Sequence, residues 1–164
     1  MAHFDEAKLE QSILELFLQE DYKYTHGGTI MRDQSDVLLR QDLDAYLQAK
    51  YKRQGITSIE VETAIKRIES EVGTLYENNM QVMRWLMDGF TIKREDPSKP
   101  PLFINLIDYD KPKSNTFRIV NQLEIMGESL RRPDAIVYVN GLPLVVLEFK
   151  SAIKEDTTIE DAYT

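Results

Sequence analysis

The chain contains no cysteine, which excludes disulfide frameworks, thiolate zinc sites and cysteine nucleophiles together. It has two histidines, His3 and His26, and neither sits in a His-x-x-x-His spacing or any other arrangement pointing to a metal site or a catalytic triad. Metal chemistry, if present, must run on carboxylates, which suit hard ions such as Mg²⁺. No apolar run approaches the roughly 20 residues that span a bilayer, so no membrane partner is expected. The opening MAHFDEAKLE is acidic and amphipathic, unlike a secretory signal, and the expected location is cytoplasmic. There is no internal repeat or low-complexity segment. Nor is there a Gly-x-x-x-x-Gly-Lys-Ser/Thr loop, so no P-loop motor lies within these residues.

What is present suits one compact domain: 164 residues, of which 42% are hydrophobic. The net charge of −8 is unevenly spread, with −6 over residues 1–90, +1 over 91–150 and −3 over 151–164. A chain this acidic is a poor DNA binder by itself, because non-specific affinity comes mostly from Lys and Arg neutralising phosphates. If it acts on DNA, something else must hold the DNA.

Residues 1–90 read as mainly helical. Ala7, Ile13, Leu14, Phe17 and Leu18 recur at three- and four-residue steps and define a first helix. A second is expected to open at Ser35 as N-cap and to carry Leu39, Leu43, Tyr46 and Leu47 on one face. A third opens with the capping box Thr57-x-x-Glu60, continues through Val61, Ile65, Ile68 and Val72, and stops at Gly73. A fourth runs from about Glu77 to Gly89, with Met80, Met83, Trp85 and Met87 expected as core filling. After Phe90 the period changes to that of strands. PLFINLIDY, TFRIVNQLEIM, AIVYVN and LPLVVLEFK each read as one strand, with Asn140-Gly141 as a hairpin turn between the last two. Residues 151–164 read as the start of a helix, as if the sequence were a fragment of a longer chain.

The chemistry-bearing stretch is RRPDAIVYVNGLPLVVLEFK. Phosphodiester hydrolysis needs a metal that polarises the phosphate and lowers the pKa of a water, and Mg²⁺ is usually held by one or two protein carboxylates. Asp134 and Glu148 can supply these, and the Phe149 carbonyl can also reach a metal. Lys150 shares a strand face with Glu148, since side chains alternate with period two, and its ammonium can orient water or steady charge on the phosphate. The bland alternative is the solvated face of an ordinary strand. Against it, Leu144 and Val146 share the Glu148 face, so that the charges emerge from an apolar row, as at the mouth of a cleft. Register decides between the two. A strict two-residue turn at Asn140-Gly141 places Asp134 opposite Leu147 and breaks the site, whereas a three-residue connection, Asn140-Gly141-Leu142, pairs Asp134 with Glu148, so a three-residue loop or an equivalent bulge is predicted.

RPDAIVYVNGLPLVVLEFKS resembles the signature of the type I restriction R subunits, in which Arg-Pro-Asp, Asn-Gly-Leu-Pro-Leu and Glu-x-Lys segments form a nuclease site of the PD-(D/E)xK class. The upstream INLIDYDKPKSNTFRIVNQLEIMG resembles the same family, so that the likeness covers about the last third of the chain. It implies an α+β, restriction-endonuclease-like fold, a central mixed sheet flanked by helices, spanning residues 1–164 as one nuclease domain truncated at its C-terminal end. It implies Mg²⁺ held by Asp134 and Glu148, with Lys150 as the catalytic lysine and double-stranded DNA as substrate. It further implies a following ATP-dependent translocase, with ATP used there, and methylation and specificity subunits as partners. The family's Gln-x-x-x-Tyr element after Glu-x-Lys is missing before Thr164, which bears on the activity of the fragment. Glu10, on the first-helix stripe, is a further metal-ligand candidate, since nucleases of this class often use a first-helix acid, but it is equally readable as an ordinary helix-boundary glutamate. Arg131 and Arg132 are candidates for phosphate contact. Tyr138 and Asn140 are assigned to packing and turn geometry. Two rival functions stay open: a repair or recombination nuclease of the same class, and a module that docks without cutting.

Overall fold

The computed structural model describes residues 6–70 and 73–150. The expected start of a helix over 151–164, and Val72 at the end of the third helix, lie outside the described residues. The chain divides into two compact units, one formed by residues 1–38 with 117–164, the other by Leu39–Thr116. Among the described residues the architecture is α+β, with four helices and a mixed sheet, and no helix is long and apolar enough to cross a membrane.

The first unit opens with helix α1 (Glu6–Gln19) and strand β1 (Lys23–His26). The second unit then intervenes with helices α2 (Arg40–Tyr51), α3 (Ser58–Glu69) and α4 (Leu75–Asp88) and strands β2 (Phe90–Ile92) and β3 (Leu102–Ile104). The chain returns to the first unit with β4 (Phe117–Asn121), the short β5 (Ile125–Met126) and β6 (Leu130–Arg131), then β7 (Ala135–Val139) and β8 (Leu142–Leu147). The main sheet has the order β1-β4-β7-β8. β1 runs parallel to β4, and the β4–β7 and β7–β8 pairs are antiparallel. A parallel pair needs a long crossover, and here that connection contains the whole second unit.

Helix α1 forms because its apolar residues make one stripe. Leu14 is buried against Ile119, Ala135 and Val137, with Phe17, Tyr22 and Leu147 packed alongside. The Phe17 and Tyr22 rings meet edge-on at 4.8 Å and Tyr22 continues onto Phe117 at 5.3 Å. Each fully buried large apolar side chain contributes roughly 1.5–3 kcal/mol, so this cluster fixes α1 on one face of the sheet. Leu18 and Ala7, expected in the stripe, are exposed.

TFRIVNQLEIM is broken rather than one long strand. Gln122 takes φ +53°, in the left-handed region, and ends β4, so that Ile125-Met126 pairs separately with Leu130-Arg131. β1 is a second departure from the helical reading of residues 1–90.

In the second unit, α3 opens with the expected capping box: Thr57 Oγ1 accepts from the Glu60 N–H and the Glu60 carboxylate accepts from the Thr57 N–H. It ends at Glu69 rather than at Gly73. α4 has a capping box of its own, Thr74 with Glu77, and ends at Gly89, whose φ of +68° suits glycine. α2 begins at Arg40 with no side-chain cap, and Ser35 instead bonds Asp33. Of the residues expected to fill the core from α4, Trp85 is buried while Met80, Met83 and Met87 are exposed. The Arg67 guanidinium lies over the Trp85 and Phe90 rings at 5.6 and 4.8 Å.

Candidate active site at the end of the main sheet

The β7–β8 hairpin sets the site. Asn140 and Gly141 both have positive φ, +53° and +82°, the pattern of a tight two-residue turn whose twist matches the strands. Val139 accordingly faces Leu142 and Tyr138 faces Pro143. Carried on unchanged, that register would set Asp134 opposite Leu147. It is not carried on: the pairing shifts between Val137 and Tyr138, Leu144 is the extra residue, and the ladder resumes as Val137–Val145, Ile136–Val146 and Ala135–Leu147. One step further puts Asp134 opposite Glu148. Of the two routes by which the carboxylates can meet, the chain takes the bulge. Leu144 and Val146 are exposed, so the charges do not rise from a buried apolar wall among the described residues.

The two acids interact. Glu148 is exposed as a residue, but its carboxyl is partly desolvated, and this first, then the neighbouring Asp134 charge and a hydrogen bond with Asp134, push its pKa up; Lys150 pulls it back. Asp134 is held from behind, because the Phe149 N–H donates to its Oδ2 at 2.6 Å. Its own carbonyl accepts from the Gln122 N–H at 3.1 Å, which anchors the end of β4 beside it. Like charges facing each other with one cation two residues away are arranged for a further positive charge.

Other candidate residues fall in distinct places. Glu10 reaches the same end of the sheet from α1 and accepts from Asn121 Nδ2 at 2.9 Å, while Asn121 Oδ1 accepts from the Tyr24 hydroxyl at 3.0 Å. Asn121 is opposite Ala135, the neighbour of Asp134. Among the described residues no group of three or more His, Asp or Glu side chains converges as a metal cage, so Glu10 does not join Asp134 and Glu148 in one. Arg131 is in the β5–β6 ladder opposite Ile125, and Arg132, also exposed, lines a cleft together with His26. Tyr138 is fully buried, its hydroxyl donating to the Val37 carbonyl, and burial pushes its pKa up to about 12. Asn140 is buried at the turn.

Sequence reasoning passed over Asn121, Gln122 and His26. The available signal for the first two was a polar pair inside an otherwise apolar strand pattern; His26 had none, since a lone histidine carries no spacing.

Residues 3–164 match the family model described as "Type I restriction enzyme R protein N terminus". The chain belongs to this family. Among curated relatives of this R-protein N-terminal family, the type I restriction enzyme HindI endonuclease subunit of Haemophilus influenzae is 26% identical over 170 residues, which cover 97% of this chain and 16% of the relative. The type I restriction enzyme SauCOLORF180P endonuclease subunit of Staphylococcus aureus is 25% identical over 152 residues, 92% of this chain and 15% of that protein. The chain thus spans about a sixth of the length of these endonuclease-subunit relatives.

Proposed function

We propose that this R-protein N-terminal chain is the Mg²⁺-dependent nuclease domain of a type I restriction enzyme, with a restriction-endonuclease-like fold of the PD-(D/E)xK class, hydrolysing phosphodiester bonds of double-stranded DNA in the cytoplasm. The observation that carries this reading is the bulge that turns Asp134 to face Glu148, with Lys150 two residues on.

The donor set fits Mg²⁺. It consists of oxygen alone, two carboxylates with the Phe149 carbonyl between Glu148 and Lys150, and Mg²⁺ asks for one or two protein carboxylates and keeps several waters. Partial burial first, and the facing Asp134 charge second, raise the pKa of Glu148, and a cation between the two acids would offset both. Asp134 and Glu148 would hold the ion, and when bound it supplies Lewis acidity toward the phosphate and a more acidic water. Asp134 is kept in position by the Phe149 N–H. Lys150 orients the attacking water and balances the charge that grows on the phosphate oxygens.

The relatives' greater length fits a chain in which this domain precedes an ATP-driven translocase and works with methylation and specificity subunits. DNA choice and most of the binding would then belong to those parts, in keeping with the chain's net charge of −8.

The test is Mg²⁺-dependent cleavage of duplex DNA by the intact protein in its complex, with Asp134→Ala, Glu148→Ala and Lys150→Ala assayed separately. Cutting is lost in each while ATP hydrolysis persists. Undiminished cutting in all three ends the reading. A second readout is independent of activity: Mn²⁺ raises the thermal stability of the wild-type protein by ligand linkage and fails to do so for the Asp134→Ala, Glu148→Ala double variant.

A further inference from the structure

The C-terminal ends of the parallel pair β1 and β4 border a cleft of about 360 Å³, lined among others by His26, Gly28, Arg32, Gln34, Gln122 and Arg132. It lies at the same end of the sheet as the carboxylates, since Gln122 donates its N–H to the Asp134 carbonyl and Arg132 precedes Asp134 by two residues, at most about 7 Å of chain.

The lining is rich in donors. Its one acid, Glu124, accepts from Gln34 Nε2 at 3.0 Å. The Arg32 guanidinium is engaged by the backbone carbonyls of Asp33, Asp36 and Glu124 and ties the loop after β1 to the segment after β4. That leaves His26 and Arg132, with the Gln122 side-chain amide beside them, to meet a ligand. His26 Nδ1 accepts from the Gly28 N–H at 3.1 Å, so a neutral ring carries its hydrogen on Nε2. The wall is built to close tolerance: a Cβ at Gly27 would lie 2.5 Å from Leu123 Cα, and the adjoining Gln122 holds a left-handed conformation that a non-glycine residue adopts at a cost.

We propose that this cleft receives a phosphodiester of the DNA backbone close to the one that is cut, with the His26 Nε2–H and the Arg132 guanidinium as its contacts. The inference rests on the nuclease reading and adds a subsite to it. A phosphodiester offers acceptors and negative charge, the complement of this lining. With 3.4 Å of axial rise per nucleotide in one strand, the span from Arg132 to Asp134 covers about one or two nucleotides. The cleft also supplies local cationic contact in a chain whose overall charge repels DNA.

The experiment measures initial cleavage rates of the intact protein against duplex DNA concentration in Mg²⁺, at several salt concentrations. Arg132→Ala raises the half-saturating DNA concentration about tenfold and lowers the salt slope by about one, with a smaller change in the maximal rate. His26→Ala raises it several-fold, and His26→Gln, which keeps an N–H donor, recovers most of the loss. Lys23→Ala, which removes a cation from the opposite end of β1, changes neither quantity. Thermal unfolding of each variant accompanies the assay, and the His26→Gln recovery separates lost contact from lost fold. Unchanged DNA dependence and salt slope in Arg132→Ala and His26→Ala, with Asp134→Ala inactive, overturn the subsite and leave the nuclease reading standing. Persistent cutting by Asp134→Ala overturns both.

Discussion

Glu60 in the second unit and Glu148 in the first are both glutamates set against other charges, and the protein treats them oppositely. Burial alone would raise the pKa of Glu60, but the Glu95 N–H at 2.9 Å, Arg94 Nε at 2.8 Å and the Thr57 N–H at 3.0 Å all donate to its carboxylate, and its pKa ends below the usual value. Arg94 is in turn bonded to the carbonyls of Gln54 and Gly55. Every demand of the buried charge is met inside the unit, so it serves the fold. Among the described residues Glu148 has no such set of donors: partial burial first and the facing Asp134 second push its pKa up. Glu60 is met by donors within its own unit and serves the fold, whereas Glu148 meets a second carboxylate, the kind of perturbed group from which the proposed metal site is argued.

The largest effects should come from the facing pair of carboxylates. Asp134→Ala, Glu148→Ala and Lys150→Ala are each expected to lower the cleavage rate by at least about 10²–10³-fold, the scale for losing one group aimed at transition-state charge. One residue inserted between Val145 and Val146 should do the same without touching any of the three, because Asp134 would then face Leu147 and the acids would part to opposite faces. Glu148→Gln sharpens the contrast. It abolishes cutting yet leaves stability within about 0.5 kcal/mol, or raises it, because it relieves repulsion. These outcomes are read by plasmid cleavage and thermal unfolding on the same samples.

Glu60→Gln should behave in the opposite way. It leaves Arg94, which is nearly inaccessible in this pair, without its counter-charge, and breaking a buried pair from one side costs about 3–5 kcal/mol. Hydrogen exchange at the α2 and α3 amides checks it. Protection there should fall steeply, and protection kept at the wild-type level would refute the assignment of Glu60 to the fold.

How much of this was legible in the sequence follows the range of the forces involved. The Thr57-Glu60 box and the Asn140-Gly141 turn depend on residues a few positions apart, and they were read correctly; helix α1 was read too, but Ala7 and Leu18, assigned to its buried stripe, are exposed. The Thr74-Glu77 box was equally local and was passed over in favour of a start near Glu77. The bulge at Leu144 was inferred only as one of two ways to bring Asp134 to Glu148, since a strand's register is set by the partner's pattern as well as its own. The kink at Gln122 and the pairing of β1 with β4 were out of reach: one depends on the Asp134 carbonyl twelve residues later, the other on a partner strand beyond the whole second unit. The exposure of Met80, Met83 and Met87 was misjudged because periodicity identifies an apolar face without naming what covers it.

Thr57→Ala and Thr74→Ala should each cost about 1 kcal/mol, the ordinary value of a lost N-cap. Thr57→Ala should be the worse of the two, because its cap bond to Glu60 is partly buried and Glu60 is itself buried, whereas the Thr74–Glu77 cap is exposed to solvent. Equal losses in the two variants would show that the cap at Thr57 is independent of the buried charge beneath it.

The smallest effect is a test by pH. Asp108 holds Lys50 Nζ at 2.8 Å and accepts from the Lys111 N–H at 2.9 Å, and the Lys50 contact foremost brings its pKa down to about 2. An unfolded aspartate titrates near 3.9. A carboxyl with a depressed native pKa contributes stability that is complete above the unfolded value and disappears as pH falls through the native one, so the second unit should lose this contribution between about pH 4 and pH 2. The pair is partly open to solvent, which keeps the contribution under about 1 kcal/mol. Asp108→Asn should therefore lower stability slightly at pH 7 and converge with the wild type near pH 2. Glu148, whose native pKa is raised, runs the other way: Glu148→Gln should gain on the wild type as pH rises above the usual glutamate range. If both variants shifted stability with the same sign at neutral pH, the division between a carboxylate the fold satisfies and one it leaves open would not hold.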